Sequence, residues 1–152
     1  MHKINNGRLI LAGIVAAVIL DILEYLVNGV LLGSAWADSL KANGLAPISI
    51  KGIIAFNVWT VLVAFLAIWL YVAIRPRFGP GPKTALISAA VVWVLGWPLG
   101  MVAPLAMHVV PRTLAINSSL LGIPEMAIAI LAGAALYKEE PVEAARVVTA
   151  TA

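Results

Sequence analysis

The chain has 152 residues, of which 62% are hydrophobic and 11% are charged, against roughly 45–50% and 25% in soluble globular proteins. Its mean hydropathy is +1.03, so we expect an integral membrane protein with a single domain. The lack of cysteine excludes disulfides and thiolate chemistry. The net charge of +3 does not indicate nucleic-acid binding, because the basic residues lie between apolar runs and form no cluster.

Four long apolar runs predict an all-α membrane domain, a bundle of four transmembrane helices within residues 1–138. Each run exceeds the roughly 20 residues that carry a helix across about 30 Å of hydrocarbon. The first run is too long for the core of a signal peptide, so we expect it to remain in the mature protein. The predicted spans are residues 8–32, 52–74, 84–109 and 113–137, followed by a C-terminal tail at 139–152.

The distribution of Lys and Arg predicts how these spans are oriented. Seven basic residues would lie on one side of the membrane and three on the other, and the richer side is normally cytoplasmic. Both termini are therefore predicted to be cytoplasmic. The seven are Lys3, Arg8, Arg75, Arg77, Lys83, Lys138 and Arg146, and the three are Lys41, Lys51 and Arg112.

Two connections between the spans have distinctive sequences. Residues 33–50 are long enough for a short helix around Trp36 to Lys41, with the tryptophan in the headgroup region. Residues 75–83 contain Arg75, Arg77 and Lys83 together with three prolines and two glycines. Because proline disfavours helix and glycine permits tight turning, this segment is predicted to be a rigid, basic, non-helical cytoplasmic loop.

Three acidic residues fall inside the predicted spans, where an ionisable group is costly and is a candidate functional residue. They are Asp21, Glu24 and Glu125. Asp21 is thirteen residues after Arg8 and Glu125 is thirteen before Lys138, so both should lie about 20 Å from the cytoplasmic side. We therefore expect the first and fourth spans to meet through these two carboxyls at an intramembrane polar or proton site.

Further polar groups are predicted near this level. Counting in the same way places three asparagines in a second, more external layer. Three prolines are predicted to break the helical backbone at similar depth, and each should free a backbone carbonyl. The asparagines are Asn28, Asn57 and Asn117, and the prolines are Pro98, Pro104 and Pro124. Such an acceptor-rich region would suit protons or a cation, although paired carboxylic acids can also simply join two helices.

No catalytic motif accompanies these residues. The sequence contains no phosphate-binding loop, nucleophile elbow or zincin motif. His108 is predicted at the outer interface, too far from the acids to complete a metal site. We therefore predict neither a metal nor a cofactor.

The chain resembles a group of small bacterial four-helix membrane proteins for which no activity is known. The resemblance is carried by the stretch Leu20 to Leu32 and by the loop sequence Arg-Pro-Arg-Phe-Gly-Pro-Gly-Pro-Lys-Thr that ends at Thr84, and it would extend from about Arg8 to Lys138. It implies a four-span protein of the bacterial inner membrane and brings no function with it.

Three functions are compatible with these patterns. The sequence favours a non-catalytic accessory, assembly or scaffold subunit of a larger membrane complex, or a homo-oligomer, with the lipid bilayer as surroundings. The alternative is a proton- or cation-linked carrier or channel for a small solute that uses the intramembrane carboxylates. A lipid-modifying membrane enzyme comes third, because two acids can act as an acid and base pair but no nucleophile accompanies them.

Overall fold

The structure is a computed structural model that describes residues 4–138. Within that range every regular element is a helix, in the order α1 (Asn6–Glu24), a π-helical segment (Tyr25–Leu31), α2 (Gly33–Ala42), α3 (Ile50–Phe78), α4 (Pro82–Gly96), α5 (Val102–Ala106) and α6 (Arg112–Leu136). The predicted tail at residues 139–152 lies outside the described residues.

Local sequence explains where the first helices begin and how they change. The side chain of Asn5 caps α1 by accepting a hydrogen bond from the backbone N–H of Arg8, at 2.9 Å. After Glu24 the helix widens into the π-helical turns, which continue its direction as far as Leu31. α2 then follows almost directly, and it includes the predicted short helix around Trp36.

The loop between α3 and α4 is much shorter than predicted. α3 continues through Pro76 to Phe78, and Pro82 occupies the first turn of α4, where its missing N–H costs nothing. The expectation that the prolines exclude helix from residues 75–83 is therefore wrong. Only Gly79, Pro80 and Gly81 connect the helices, and both glycines have positive φ angles, +81° and +122°, that favour glycine.

The third predicted span, residues 84–109, is interrupted. α4 ends at Gly96, and a turn at residues 97–101 leads into the five-residue α5. Pro98 has no N–H to donate to Val94, and the carbonyl of Val94 instead accepts from Leu99, at 3.1 Å. Pro98, one of the prolines predicted to break a helix, therefore lies at the point where the third apolar run is interrupted.

α1 packs against α3 and α6, and α4 packs against the same two helices. Small residues allow the close approach of α1 and α6, because a Cβ atom at Gly133 would lie only 2.6 Å from the backbone oxygen of Ala12. The buried core between these helices is correspondingly rich in alanine, including Ala12, Ala16, Ala64, Ala67 and Ala129.

The outer surface of the helices is apolar. Three of them are long and apolar enough to cross a membrane: Asn6–Leu31, Ile50–Phe78 and Arg112–Leu136, with mean hydropathies of 2.4, 2.4 and 1.8. Large apolar side chains such as Ile14, Ile22, Leu62 and Leu95 are about half exposed or more, which suits hydrocarbon rather than water. The chain is thus a helical membrane protein with three candidate spans and a shorter apolar helix, Pro82–Gly96.

Candidate functional site

A pair of carboxyl groups lies between α1 and α6, inside the apolar part of the protein. Glu24 is the last residue of α1, and Glu125 lies in the middle of α6. The two carboxyls lie against each other, with the indole of Trp97 beside Glu24. We call Glu24 and Glu125 the carboxyl pair.

The oxygens of the carboxyl pair are poorly satisfied. Glu125 is only 2% exposed, and neither of its oxygens makes a hydrogen bond of regular geometry. The same holds for Oε1 of Glu24. In the described part of the chain, no Lys, Arg or His side chain acts on either carboxyl. Buried acceptors of this kind are costly unless a donor or a cation reaches them.

Asn28 connects the carboxyl pair to two other parts of the protein. Its Nδ2 donates to Oε2 of Glu24, at 2.7 Å. Its Oδ1 accepts from Nε1 of Trp36, at 3.0 Å, and from Oγ of Ser118, at 3.1 Å. One amide therefore links the π-helical segment to both α2 and α6. This places Asn28 in the same cluster as Glu24 and not in a separate layer.

Irregular backbone lies on both sides of the carboxyl pair. The π-helical segment starts directly after Glu24, and such segments occur frequently at functional sites. Pro124 lies immediately before Glu125 inside α6, where the lack of an N–H leaves the carbonyl of Leu120 without its helical donor. Of the three prolines that the sequence singled out, Pro124 is the one bonded directly to a member of the carboxyl pair. Pro98 and Pro104 lie in the turn after α4 and in α5.

Trp97 fills the space between the carboxyl pair and the end of α4. It is buried, and a Cβ atom at Gly122 would come within 2.5 Å of its indole ring. Its ring centroid lies 5.3 Å from that of Trp59 on α3. The neighbouring Trp93 donates from Nε1 to the backbone oxygen of Ser119 on α6, at 2.8 Å. Packing of α6 against the indole thus depends on the glycine at position 122.

Asp21 does not face Glu125, although the sequence predicts that the two share a level. It is half-buried and lies against the side chain of Thr60 on α3. Glu24, one turn further along α1, faces Glu125 instead. The expected meeting of the first and last spans through acids is present, with Glu24 in the place of Asp21.

Asn57 and Asn117 do not join Asn28 in a polar layer. Both are exposed on the outer surfaces of α3 and α6. Nδ2 of Asn57 donates to the backbone oxygen of Ile53 in its own helix, at 2.7 Å. The expectation of a shared layer was wrong because counting residues gives depth along a helix but not the face on which a side chain lies.

The three basic residues of the predicted loop have different surroundings in the structure. Arg75 lies in the last turn of α3, with its guanidinium carbon 5.5 Å from the ring centroid of Tyr71 and 5.0 Å from that of Tyr137. Such distances are typical of cation–π contacts. Arg77 and Lys83 are exposed. These three residues are far along the chain from the carboxyl pair and belong to the end of the molecule where α3 and α4 connect.

Two polar neighbours of the site were not singled out from the sequence. Ser118 is seven residues before Glu125 on α6, a spacing that places both on one helical face, so it could have been found. Thr60 could not have been found in this way, because its contact with Asp21 depends on how α3 packs against α1. Within residues 4–138 no group of three His, Cys, Asp or Glu side chains is arranged to hold a metal ion.

Comparison with protein-family models, with curated proteins and with solved structures finds no match to this chain.

Proposed function

We propose that this chain is a proton- or cation-linked carrier or channel subunit whose binding groups are Glu24 and Glu125. The observation that carries the proposal is the burial of Glu125, at 2% exposure, against the carboxyl of Glu24, with neither oxygen of Glu125 in a hydrogen bond of regular geometry. Two adjacent carboxylates cannot both stay ionised in an apolar interior without a counter-charge. A proton or a small cation between them removes that cost.

Three surrounding features support binding over a purely structural role. The two carboxyls lie within hydrogen-bonding reach of each other, and within the described residues no basic side chain neutralises them. The π-helical segment and Pro124 interrupt regular helical backbone on both sides, as happens where membrane helices line a binding site. Asn28 provides a polar contact from Glu24 towards α2.

The membrane arrangement is also part of the proposal. α4 has 15 residues, which span about 22 Å and fall short of the roughly 30 Å hydrocarbon core. The turn and α5 would complete this segment as an interrupted fourth span. With four spans, the excess of Lys and Arg favours a cytoplasmic location for both termini, and the sequence resemblance favours the bacterial inner membrane.

Ion flux into vesicles tests this function. Purified wild-type protein is reconstituted into liposomes that contain a pH-sensitive dye, and a potassium diffusion potential drives proton entry. Parallel vesicles with Na⁺- or K⁺-sensitive dyes test the two cations. We expect wild-type flux for at least one ion above that of protein-free vesicles, and a loss of about tenfold or more in Glu24→Gln and Glu125→Gln.

Asp21→Asn is the matched control, because it removes a carboxyl one turn before Glu24 that acts on the carboxyl pair only as a nearby charge and not through a hydrogen bond, so it should leave most of the flux intact. The proposal fails if wild-type vesicles conduct none of the three ions, or if the two glutamine variants conduct as well as the wild type.

A second candidate is an accessory or scaffold subunit, which the sequence alone favoured. The observation for it is the outer half of α3, where every residue from Ile53 to Trp59 is exposed. Purification in mild detergent distinguishes the two functions, since a scaffold subunit would retain a stoichiometric partner of different sequence and a carrier need not.

A further inference from the structure

The neutral side chains that reach the carboxyl pair present N–H groups to it. Nδ2 of Asn28 donates to Oε2 of Glu24, at 2.7 Å. The indole of Trp97 lies beside the same carboxyl, and the only polar group of an indole is a donor. Within the described residues no other neutral side chain acts on either carboxyl. The side chains around the pair therefore offer hydrogen-bond donors and no neutral oxygen.

The orientation of the Asn28 amide is fixed by its other contacts. Nε1 of Trp36 lies 3.0 Å from Oδ1 of Asn28. An indole N–H can only donate, so the atom that faces it must be the amide oxygen. Oγ of Ser118 donates to the same oxygen, at 3.1 Å. The amide oxygen is thus turned away from the carboxyl pair, and the NH₂ group is turned towards Glu24.

This arrangement suits a proton at the carboxyl pair and disfavours a metal cation. Hard metal cations are held by several oxygen ligands, and an N–H group cannot serve as one. The carbonyl of Leu120 does not supply a ligand either, because Leu120 and Pro124 are both exposed and place it on the outer face of α6. A proton needs one donor and one acceptor oxygen, and two carboxyls provide both.

The two carboxyls differ in the donors that they receive. Glu24 has Asn28 and Trp97 as donors, whereas the only side chain that acts on Glu125 is Glu24 itself. Hydrogen bonds donated to a carboxyl stabilise its ionised form, so the ionised state is favoured on Glu24 and the proton on Glu125. Asp21 is the one further titratable side chain in the described part of the chain that acts on the pair, as a like charge near Glu24.

We infer that the ion bound by the carboxyl pair is a single proton, carried by Glu125 and donated in a hydrogen bond to Glu24. Asn28 is a positioning residue, which keeps Glu24 as the acceptor by donating to its other oxygen, Oε2. The inference rests on the proposed function and narrows it from a proton or a small cation to the proton alone.

Infrared difference spectra locate the proton. Purified wild-type and variant proteins are compared in liposomes at neutral pH, because protonated and ionised carboxyls absorb in separate regions. Subtracting the spectrum of Glu125→Gln from that of the wild type should leave the C=O band of a carboxylic acid. Subtracting the spectrum of Glu24→Gln should leave carboxylate bands. Glutamine has nearly the shape of glutamate, so both variants keep the packing of the site.

Added salt tests whether a metal cation competes with the proton. NaCl or KCl is added to the wild-type liposomes at constant pH, and choline chloride is the control for ionic strength. The carboxylic acid band should keep its full intensity in all three salts, because neither Na⁺ nor K⁺ displaces the proton.

Asn28→Leu tests the positioning role. A hydrogen bond donated to a charged group is worth about a factor of ten or more in an equilibrium, so loss of the Asn28 donor should raise the fraction of the proton on Glu24 about tenfold. In the Asn28→Leu background, Glu24→Gln should therefore remove carboxylic acid absorption. Ser118→Ala is the matched control, because it removes another hydrogen bond of the same amide and leaves the donor to Glu24 in place. A purely structural role of Asn28 would lower stability without moving the proton.

The inference is overturned if the wild type minus Glu125→Gln shows carboxylate bands, or if Na⁺ or K⁺ lowers the acid band more than choline does. It is overturned as well if the proton stays on Glu125 in folded Asn28→Leu protein. The wild-type spectra and the salt series decide the matter even where Asn28→Leu does not fold.

The flux assay separates this inference from the proposed function. Flux of Na⁺ or K⁺ that is lost in both glutamine variants would refute the proton and leave the carrier or channel standing. A lack of flux for all three ions would refute the carrier or channel, and the infrared spectra would still show which carboxyl holds the proton.

Discussion

Gly133 controls how closely α1 and α6 approach, and its replacement by alanine should destabilise the protein. A Cβ atom there would lie 2.6 Å from the backbone oxygen of Ala12, 2.8 Å from Cδ1 of Ile68 and 2.9 Å from Cβ of Ala16. An ordinary contact is at least 3.4 Å. The helices would have to separate by about 0.8 Å to accommodate the methyl group, because a backbone oxygen cannot rotate away as a side chain can.

The expected magnitude is a balance of two effects. Overpacking of a tight interior costs about 1–3 kcal/mol, whereas replacing glycine by alanine inside a helix gains up to about 1 kcal/mol. We therefore expect Gly133→Ala to lower the free energy of unfolding by about 1–2 kcal/mol. Gly133 is eight residues from Glu125 on α6, so a wider spacing would also weaken the contact within the carboxyl pair.

Reversible unfolding in mixed detergent micelles provides the assay. The matched control is Gly7→Ala, where the nearest atom to the new Cβ would be Oδ1 of Asn5, at 3.6 Å. That variant should unfold at the same denaturant fraction as the wild type or a slightly higher one. An unchanged or increased stability of Gly133→Ala would show that α1 and α6 do not pack at this distance.

Two further substitutions test polar contacts between helices. Asn28→Leu removes the amide that contacts Glu24, Trp36 and Ser118 and should lower the free energy of unfolding by about 1–3 kcal/mol. Asn117→Leu, at an exposed position, should leave this free energy unchanged. Equal stability of the two variants would contradict the observed hydrogen-bond network. Ser88→Ala removes the hydrogen bond from the buried hydroxyl on α4 to the backbone oxygen of Ala67 on α3. It should lower the free energy of unfolding by about 0.5–1.5 kcal/mol in the same assay. A stability equal to that of the wild type would show that this bond does not hold α4 against α3.

The helical class and three of the spans could be predicted from the sequence because long apolar runs leave few alternatives to a membrane helix. The ends of helices were less predictable. Pro98 breaks the third run, whereas Pro76 is accommodated within α3. Whether a proline ends a helix depends on whether the carbonyl four residues before it finds another donor, and that donor is set by tertiary packing.

The type of candidate site, a contact between carboxyls of two helices, was predictable from the sequence, but the residues that form it were not. Burial of Glu24 and Glu125 against each other follows from the rule that acids in a membrane avoid lipid. Choosing between Asp21 and Glu24 as the partner of Glu125 required a precision of three residues, or about 4.5 Å along a helix. Residue counting from flanking Lys and Arg does not reach that precision, because helices tilt and start at different distances from the membrane surface.

The same limit applies to Asn57 and Asn117. Their depth suggested a layer shared with Asn28, but α4 ends early and leaves residues 53–59 of α3 uncovered. The sequence of α3 contains no sign of this, since apolar residues lie on every side of the helix alongside Asn57 and Thr60.

The central claim is that the carboxyls of Glu24 and Glu125 form one protonatable or cation-binding unit, and infrared difference spectroscopy of the purified protein in lipid tests it most directly. Changes of pH or of Na⁺ concentration should produce a carboxyl band that disappears in both Glu24→Gln and Glu125→Gln and persists in Asp21→Asn. A band that survives in either glutamine variant without a shift, or that vanishes only in Asp21→Asn, would contradict the claim.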